Sequence, residues 1–278
     1  DSLKISNGKW CWFSRGIGGK TALDYLIKVK ELPFTEAVER IVGRAAERPS
    51  VFHARAQPEK PKTLLLPPKS NSNTRVIAYL KSRGIDDGLI EQCIRSGQLY
   101  ESLPYHNAVF VGMDRNGTPR YACLRGIGTD FKGEATGSDK RFSFALPATG
   151  ESRMLCVFES AIDLLSYATM AQAGGLSWRS QHLLSLAGVY KPQKETQEHR
   201  LPLALTQYLK DHAEIKTICL CLDNDMTGRS ATEAIRQQLA ERYKVASAFP
   251  RQGKDYNDWL CIRMGLQPAK ENPMTERS

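Results

Sequence analysis

Three acidic side chains stand where a parallel sheet would present a ligand. Glu159 directly follows the apolar run Met154–Phe158, Asp223 directly follows Ile218–Leu222, and Asp225 comes two residues later. Alternate residues of an extended segment share a face, so an Asp-x-Asp pair leaving a strand can aim both carboxylates one way. Like charges that close raise one another's pKa unless a cation binds between them. Hard oxygen ligands with open positions suit Mg2+, or Mn2+ in its place, because such ions keep waters and add substrate phosphates. The same acids can instead be helix N-cap and first-turn residues, held by backbone N–H groups and the helix dipole. Their grouping after two strands favours the metal.

Other residues can join this centre. Asp163 lies one helical turn beyond Glu159 and can face the same way. Gly228 falls at a sharp strand-to-helix turn, where a missing side chain lets a phosphate approach the backbone. The run Gly253-Lys254-Asp255-Tyr256-Asn257-Asp258 follows the last apolar strand. There Lys254 can neutralise phosphate, and Asp255 or Asp258 can support a metal or its waters. A turn followed by an N-cap accounts for that run equally well.

The elements that must position these residues lie in 151–266. Met154–Phe158, His182–Ala187 (ending at Gly188), Ile218–Leu222 and Val245–Phe249 read as strands. Ile162–Ala171, Leu201–His212 and Arg229–Tyr243 alternate with them as helices. Repeated βα units imply an α/β fold with a mainly parallel sheet flanked by helices, and ligands sit at the carboxyl ends of such strands. Residues 267–278 read as a disordered tail. Upstream, 75–150 reads as a small α+β domain. Its helices are Arg75–Arg83 and Leu89–Ser96, and its hairpin joins Ala108–Met113 to Pro119–Arg125 through Asn116-Gly117. A glycine-rich stretch, 126–137, follows it. Residues 44–74, with Pro49, Pro58, Pro61, Pro67 and Pro68, read as a basic solvated linker. Residues 1–43 hold the strand-like Lys9–Phe13, a turn at Gly16–Gly19, a helix carrying Ala22, Leu23, Leu26 and Ile27, and a second helix at Glu36–Val42.

The 278 residues carry a net charge of +9 and are 41% hydrophobic. An excess of Lys and Arg favours polyanionic partners through counterion release. No apolar run approaches the roughly 18 residues of a membrane span, so no membrane partner is expected. The seven cysteines show no paired zinc spacing. Cys219 and Cys221 share one face of a strand-like run and read as small core hydrophobes, and a reducing cytoplasm is the expected location. The chain starts at Asp1 without a leader and reads as a fragment of a longer protein.

These motifs resemble the Toprim family, the nucleotidyl-transfer and hydrolysis domain of bacterial-type primases, type IA and II topoisomerases and some nucleases. The resemblance runs from Glu151 to Leu266. It is carried by Val157-Phe158-Glu159-Ser160-Ala161-Ile162-Asp163, by Leu222-Asp223-Asn224-Asp225-Met226-Thr227-Gly228, and by the Leu183–Gly188 strand between them. It implies a Rossmann-like Toprim sheet with Glu159, Asp223 and Asp225 as catalytic metal ligands. The N-terminal segment resembles the back half of the zinc-binding domain that precedes Toprim in primases. Trp12-Phe13-Ser14-Arg15 stands where that family has paired cysteines, and a tetrahedral site needs four ligands, so a zinc-ribbon-like remnant without zinc is expected. The middle region, including Gly137-Ser138-Asp139-Lys140-Arg141-Phe142, resembles a domain (DUF3991) that accompanies Toprim in conjugative and other mobile elements. The resemblance gives Lys140 and Arg141 a role in facing template and nucleotides; a plain surface loop is the alternative.

The readings that follow come from different classes. One is a primase-like nucleotidyltransferase of a plasmid or conjugative element, acting on single-stranded DNA and nucleotides, with a helicase or relaxase as partner. A second is a Toprim nuclease or DNA-nicking enzyme using the same acids. A third is a non-catalytic DNA-binding partner of a relaxase or replication protein. A topoisomerase would add a tyrosine nucleophile, and Tyr190, Tyr208 and Tyr256 lack a supporting motif.

Overall fold

The computed structural model describes residues 2–6, 9–47, 63–186 and 201–268, with the side chains of 42–47 left out. The chain divides into two compact units, residues 1–60 and 61–278.

In the first unit, strands β1 (Leu3–Ser6), β2 (Lys9–Trp12) and β3 (Ile17–Gly19) form an antiparallel meander, followed by helices α1 (Ala22–Lys28) and α2 (Phe34–Glu47). The turn expected at 16–19 is tighter than that. Gly16 alone takes a left-handed φ of +62°, and the next three residues pair with β2. Buried Trp10 meets Tyr25 edge to face, with ring centroids 5.5 Å apart. A Cβ on Gly19 would lie 2.7 Å from the Trp10 indole nitrogen, so this close approach requires glycine. Thr21 and Asp24 cap α1 reciprocally, each side chain bonding the other's backbone N–H. Arg15, at the position of an expected zinc ligand, lies over the Trp12 ring at 4.1 Å.

The second unit begins with α3 (Thr74–Ser82) and α4 (Asp87–Arg95), then an antiparallel sheet in the order β4 (Leu99–Glu101), β5 (Ala108–Met113), β6 (Pro119–Arg125) and β7 (Lys132–Glu134). Asp114 holds the β5–β6 turn by accepting from the N–H groups of Asn116 and Thr118 at 3.0 Å each. Two segments differ from the sequence reading. The glycine-rich stretch supplies β7. Residues 63–73, read as part of a free linker, run along the sheet: Leu65 N–H bonds Thr136 O, Ser70 N–H bonds Glu101 O, and Leu103 N–H bonds Pro68 O. Leu64 and Leu66 thereby cover Tyr100, Val109, Val111 and Ala122. Apolar cover outweighed the proline signal there. The remainder of the expected linker, 48–62, lies outside the described residues, as does the end of the expected tail.

The rest is an α/β layer. It contains β8 (Ala145–Leu146), β9 (Met154–Phe158), α5 (Ala161–Ala173), β10 (His182–Ser185), α6 (Leu203–Asp211), β11 (Thr217–Cys221), α7 (Met226–Leu239), β12 (Lys244–Ser247) and α8 (Tyr256–Arg263). Strand order is β12-β11-β9-β10-β8, with β9 to β12 parallel and β8 antiparallel at the edge. Alternation in β9 divides the core. Leu155 and Val157 join α6 and α7 on one face, while Cys156 and Phe158 join α5 and α8 on the other. Cys219 and Cys221 pack on that second face too, their sulfurs 3.7 Å apart. Helix α5 is buried on nearly every side, sandwiched between the sheet and α3, α4 and α8. No helix among the described residues is long and apolar enough to cross a membrane.

Phe144 is fully buried where the two sheets meet, edge to face with Phe110 at 5.6 Å. Phe144→Ala is expected to cost about 3–5 kcal/mol in urea denaturation, a large part of the stability of such a domain.

Candidate metal centre at the carboxyl ends of the parallel strands

After β9 the chain crosses to β10 on one side, and later to β11 on the other side of β9. The carboxyl end of β9 is therefore the switch point where such sheets open a crevice. Glu159 leaves β9 there, and Asp223 and Asp225 leave β11 beside it. The Asp223 N–H donates to Glu159 Oε1 at 3.2 Å, joining the two strand ends. Asp225 is the N-cap of α7, its Oδ1 accepting from Gly228 N–H at 2.8 Å. Its other oxygen, Oδ2, faces the Lys254 ammonium at 3.6 Å, and Lys254 lies 3.7 Å from Asp223 Oδ2. The cap thus uses one oxygen of Asp225 and leaves the other facing Lys254.

The electrostatics are those of a crowded anionic site. Burial pushes Glu159 up to about 7, helped by the carboxylates of Asp225 and Asp163 and opposed by the Asp223 N–H. Burial likewise pushes Asp223 up to about 7, with Glu159 and Asp255 adding to it and Lys254 working against it. Both groups are therefore pushed well above ordinary carboxylates by burial and by neighbouring negative charge.

Asp163 is not turned to this mouth. It is buried, Oδ2 accepting the Ser160 hydroxyl at 2.5 Å and Oδ1 accepting Asn257 N–H at 3.2 Å. Its place is between α5 and α8. Asp255 caps α8 through Asp258 N–H at 2.7 Å, and burial followed by the Asp163 charge holds it at about 7. Asp258 accepts from Lys254 N–H at 3.0 Å and closes the Gly253 turn. The turn-and-cap reading therefore describes Asp255 and Asp258, while Lys254 reaches the acids.

Gly228 serves a purpose other than phosphate approach. A Cβ there would fall 2.2 Å from the Asp223 carbonyl and 2.9 Å from Glu159 Oε1, and its N–H is already committed to Asp225. The glycine lets α7 close onto the acids. Lys140 pairs with Glu134 at 3.0 Å, and Arg141 grips Asp139 at 2.6 Å. They precede Ser143, whose hydroxyl lies 3.3 Å from that of Ser185 at the carboxyl end of β10. Phe142 is partly exposed, with the guanidinium groups of Arg120 and Arg141 each 5.5 Å from its ring centroid. Tyr256 is buried, its hydroxyl on Ala248 O at 2.8 Å, so it offers no face to a base.

The sequence reading passed over Ser160, Asn224 and Asn257. Asn224 ties the Asp-x-Asp turn to the last loop, its N–H on Lys254 O at 2.7 Å and its side chain contacting Arg229 and Pro250. Ser160-x-x-Asp163 ahead of an apolar run is a capping signature legible in advance. Asn257 offers no such signal. Its buried amide donates to Arg83 O and Ser166 Oγ at 3.0 Å each and accepts from the Arg83 guanidinium at 2.8 Å. Asn257→Ala strands these partners and is expected to cost about 3 kcal/mol in urea denaturation.

Comparison with known proteins sets this geometry in context. Among curated proteins, the chain is 26% identical over 251 residues to an uncharacterized protein of Bacillus anthracis, covering 84% of this chain and 68% of that one. It is 24% identical over 287 residues to a 65 kDa protein of Zymomonas mobilis, covering 95% of this chain. The chain spans 46% of the length of the Zymomonas relative. Among solved structures, the primase fragment of the bacteriophage T7 primase-helicase matches at 18% identity and a TM-score of 0.46, over 95% of this chain and 90% of that one. The zinc-binding and RNA polymerase domains of the Aquifex aeolicus primase match at 18% identity and a TM-score of 0.42, over 95% and 72%. Residues 78–150 match a family described as a protein of unknown function, DUF3991. Residues 156–260 match the family described as Toprim-like, so the acidic centre at the ends of β9 and β11 belongs to a Toprim-like domain.

Proposed function

We propose that the chain is a Mg2+-dependent, primase-like nucleotidyltransferase of a plasmid or conjugative element, acting on single-stranded DNA and nucleotides. One observation carries the reading: Glu159, Asp223 and Asp225 converge at the switch point of the sheet with a single ammonium, Lys254, bridging the two aspartates. The order of modules supports it, with an N-terminal meander and helix, then the DUF3991 domain, then the Toprim-like domain.

The donor set fits a hard divalent ion. All three donors are carboxylates, two of them held near 7 by burial and by neighbouring carboxylates, and Lys254 stands where a cation relieves them. Glu159, Asp223 and Asp225 would hold Mg2+ or Mn2+, with Asp163 as a positioning residue behind them. When bound, the ion polarises phosphoryl oxygens and offsets charge that builds on the attacked phosphorus. Lys254, beside both aspartates, would meet a nucleotide phosphate as a point charge. Lys140 and Arg141 would guide the template strand, exchanging Glu134 and Asp139 for phosphates, and Phe142 would present a face for a base. A helicase or relaxase acting on the same strand is the natural partner.

The direct test incubates the protein with single-stranded template and labelled nucleotides, with and without Mg2+. Asp223→Asn and Asp225→Asn are each expected to lower incorporation by at least about a hundredfold, since several kcal/mol of charge stabilisation depend on the anions. Mg2+ should raise the melting temperature of the native chain but not of the variants. Template cleavage in place of extension would establish the nuclease, and binding without turnover the non-catalytic reading.

Binding of fluorescent single-stranded DNA should weaken steeply with salt. Lys140→Ala combined with Arg141→Ala is expected to flatten the log–log salt slope by up to about 1.4. An unchanged slope removes both residues from the strand path.

A further inference from the structure

The opposite end of the parallel sheet, where its strands begin, holds a second group of side chains able to ligate a metal, which the reading above does not use. His182 opens β10, His212 is the C-cap of α6, and Glu214 sits in the turn that leads into β11. One ligand atom from each lies within 4.8 Å of the other two. These residues precede their strands, whereas Glu159 and Asp223 follow theirs, so the length of the sheet separates the two sites.

His182 is 3% exposed, and among the described residues its buried Nε2 has no hydrogen-bond partner. That nitrogen points at Glu214 Oε1 from 3.8 Å, too far for a hydrogen bond. Its Nδ1 is engaged, with the Tyr208 hydroxyl at 3.1 Å and Ala148 N–H at 3.4 Å. His212 Nδ1 lies 2.9 Å from the same Glu214 oxygen. The His212 ring stacks on Tyr208 at 4.3 Å and lies 4.6 Å from the ring of His182.

An unmatched imidazole nitrogen aimed at a second imidazole and a carboxylate is satisfied by one electropositive atom among them. Ligand atoms about 2.0–2.2 Å from a tetrahedral zinc stand about 3.3 Å from one another, and the separations here, 2.9 and 3.8 Å, bracket that value. Ligation through Nε2 places the ring proton on Nδ1, where the Tyr208 hydroxyl accepts it as the outer partner that orients a ligating imidazole, and the long Ala148 N–H contact is given up. Two imidazoles and one carboxylate select a borderline transition-metal dication over Mg2+, which demands oxygen.

We propose that His182, His212 and Glu214 form a zinc site, completed by water, which clasps the end of α6 and the β11 turn to the start of β10. The expectation of a zinc-free chain rested on the N-terminal segment and the cysteine spacings, neither of which bears on these residues.

The test titrates the metal-free full chain with Co2+ and then displaces it with Zn2+. The expected result is visible absorption of a four-coordinate nitrogen and oxygen site, lost at a single equivalent of Zn2+, and a higher melting temperature with zinc. His212→Ala and Glu214→Gln change side chains at the surface, so folding should persist, as circular dichroism can verify. Each is expected to weaken zinc by more than tenfold, and Tyr208→Phe by about tenfold. Asp223→Asn should leave zinc affinity unchanged. The assignment is overturned by absence of micromolar binding, by undiminished affinity in both surface variants, or by thiolate charge-transfer bands that give the ion to Cys156, Cys219 and Cys221.

Discussion

A buried carboxylate sets the geometry of the acidic mouth. Asp163 accepts the Ser160 hydroxyl on one oxygen and Asn257 N–H on the other, so the first turns of α5 and α8 are fixed to each other. The start of α8 in turn fixes the loop before it, and that loop carries Lys254 to the aspartates. Asn257 extends the same join to the Arg83 carbonyl at the end of α3, which ties the DUF3991 domain to the floor of the site. An ionised group this deep persists only when its oxygens are occupied, and here burial still leaves it at about 6.

The centre holds like charges at a cost the fold meets locally. Glu159 accepts the Asp223 N–H, Asp225 accepts the Gly228 N–H, and Lys254 spans the gap. Each contact offsets part of the repulsion, yet Glu159 and Asp223 remain near 7. Such a site trades stability for affinity, since the groups that destabilise the bare fold are those a cation would satisfy. Gly228 belongs to the same logic, because any side chain there would push α7 away from both strand ends.

The α/β layer was legible because periodicity switches from strand to helix several times and an acid follows two strands directly. The outer edges were not. Strand β8 has two residues and no alternation to detect, and β7 lies in a glycine-rich stretch whose pairing comes entirely from β6. Leu64 and Leu66 sit among prolines that read as linker, although their burial comes from the sheet they cover. At the site, Glu159, Asp223 and Asp225 were found from their positions after strands. The orientation of Asp163 was not, since helical spacing places a residue on a face without naming the neighbour it meets. Histidine 182 and its partners escaped notice for a related reason, being far apart in sequence and joined only at the end of the sheet where its strands begin.

The short strand β8 has a consequence for how the chain is divided. It arises from the segment that completes the DUF3991 region, yet it pairs with β10 of the Toprim-like sheet through Leu146 and Ala145. The upstream module therefore supplies the border of the downstream one. Separating them between 147 and 153 would leave the backbone groups of β10 without their lateral partner, an open ladder inviting strand addition by another chain. The two regions are better regarded as a single structural block.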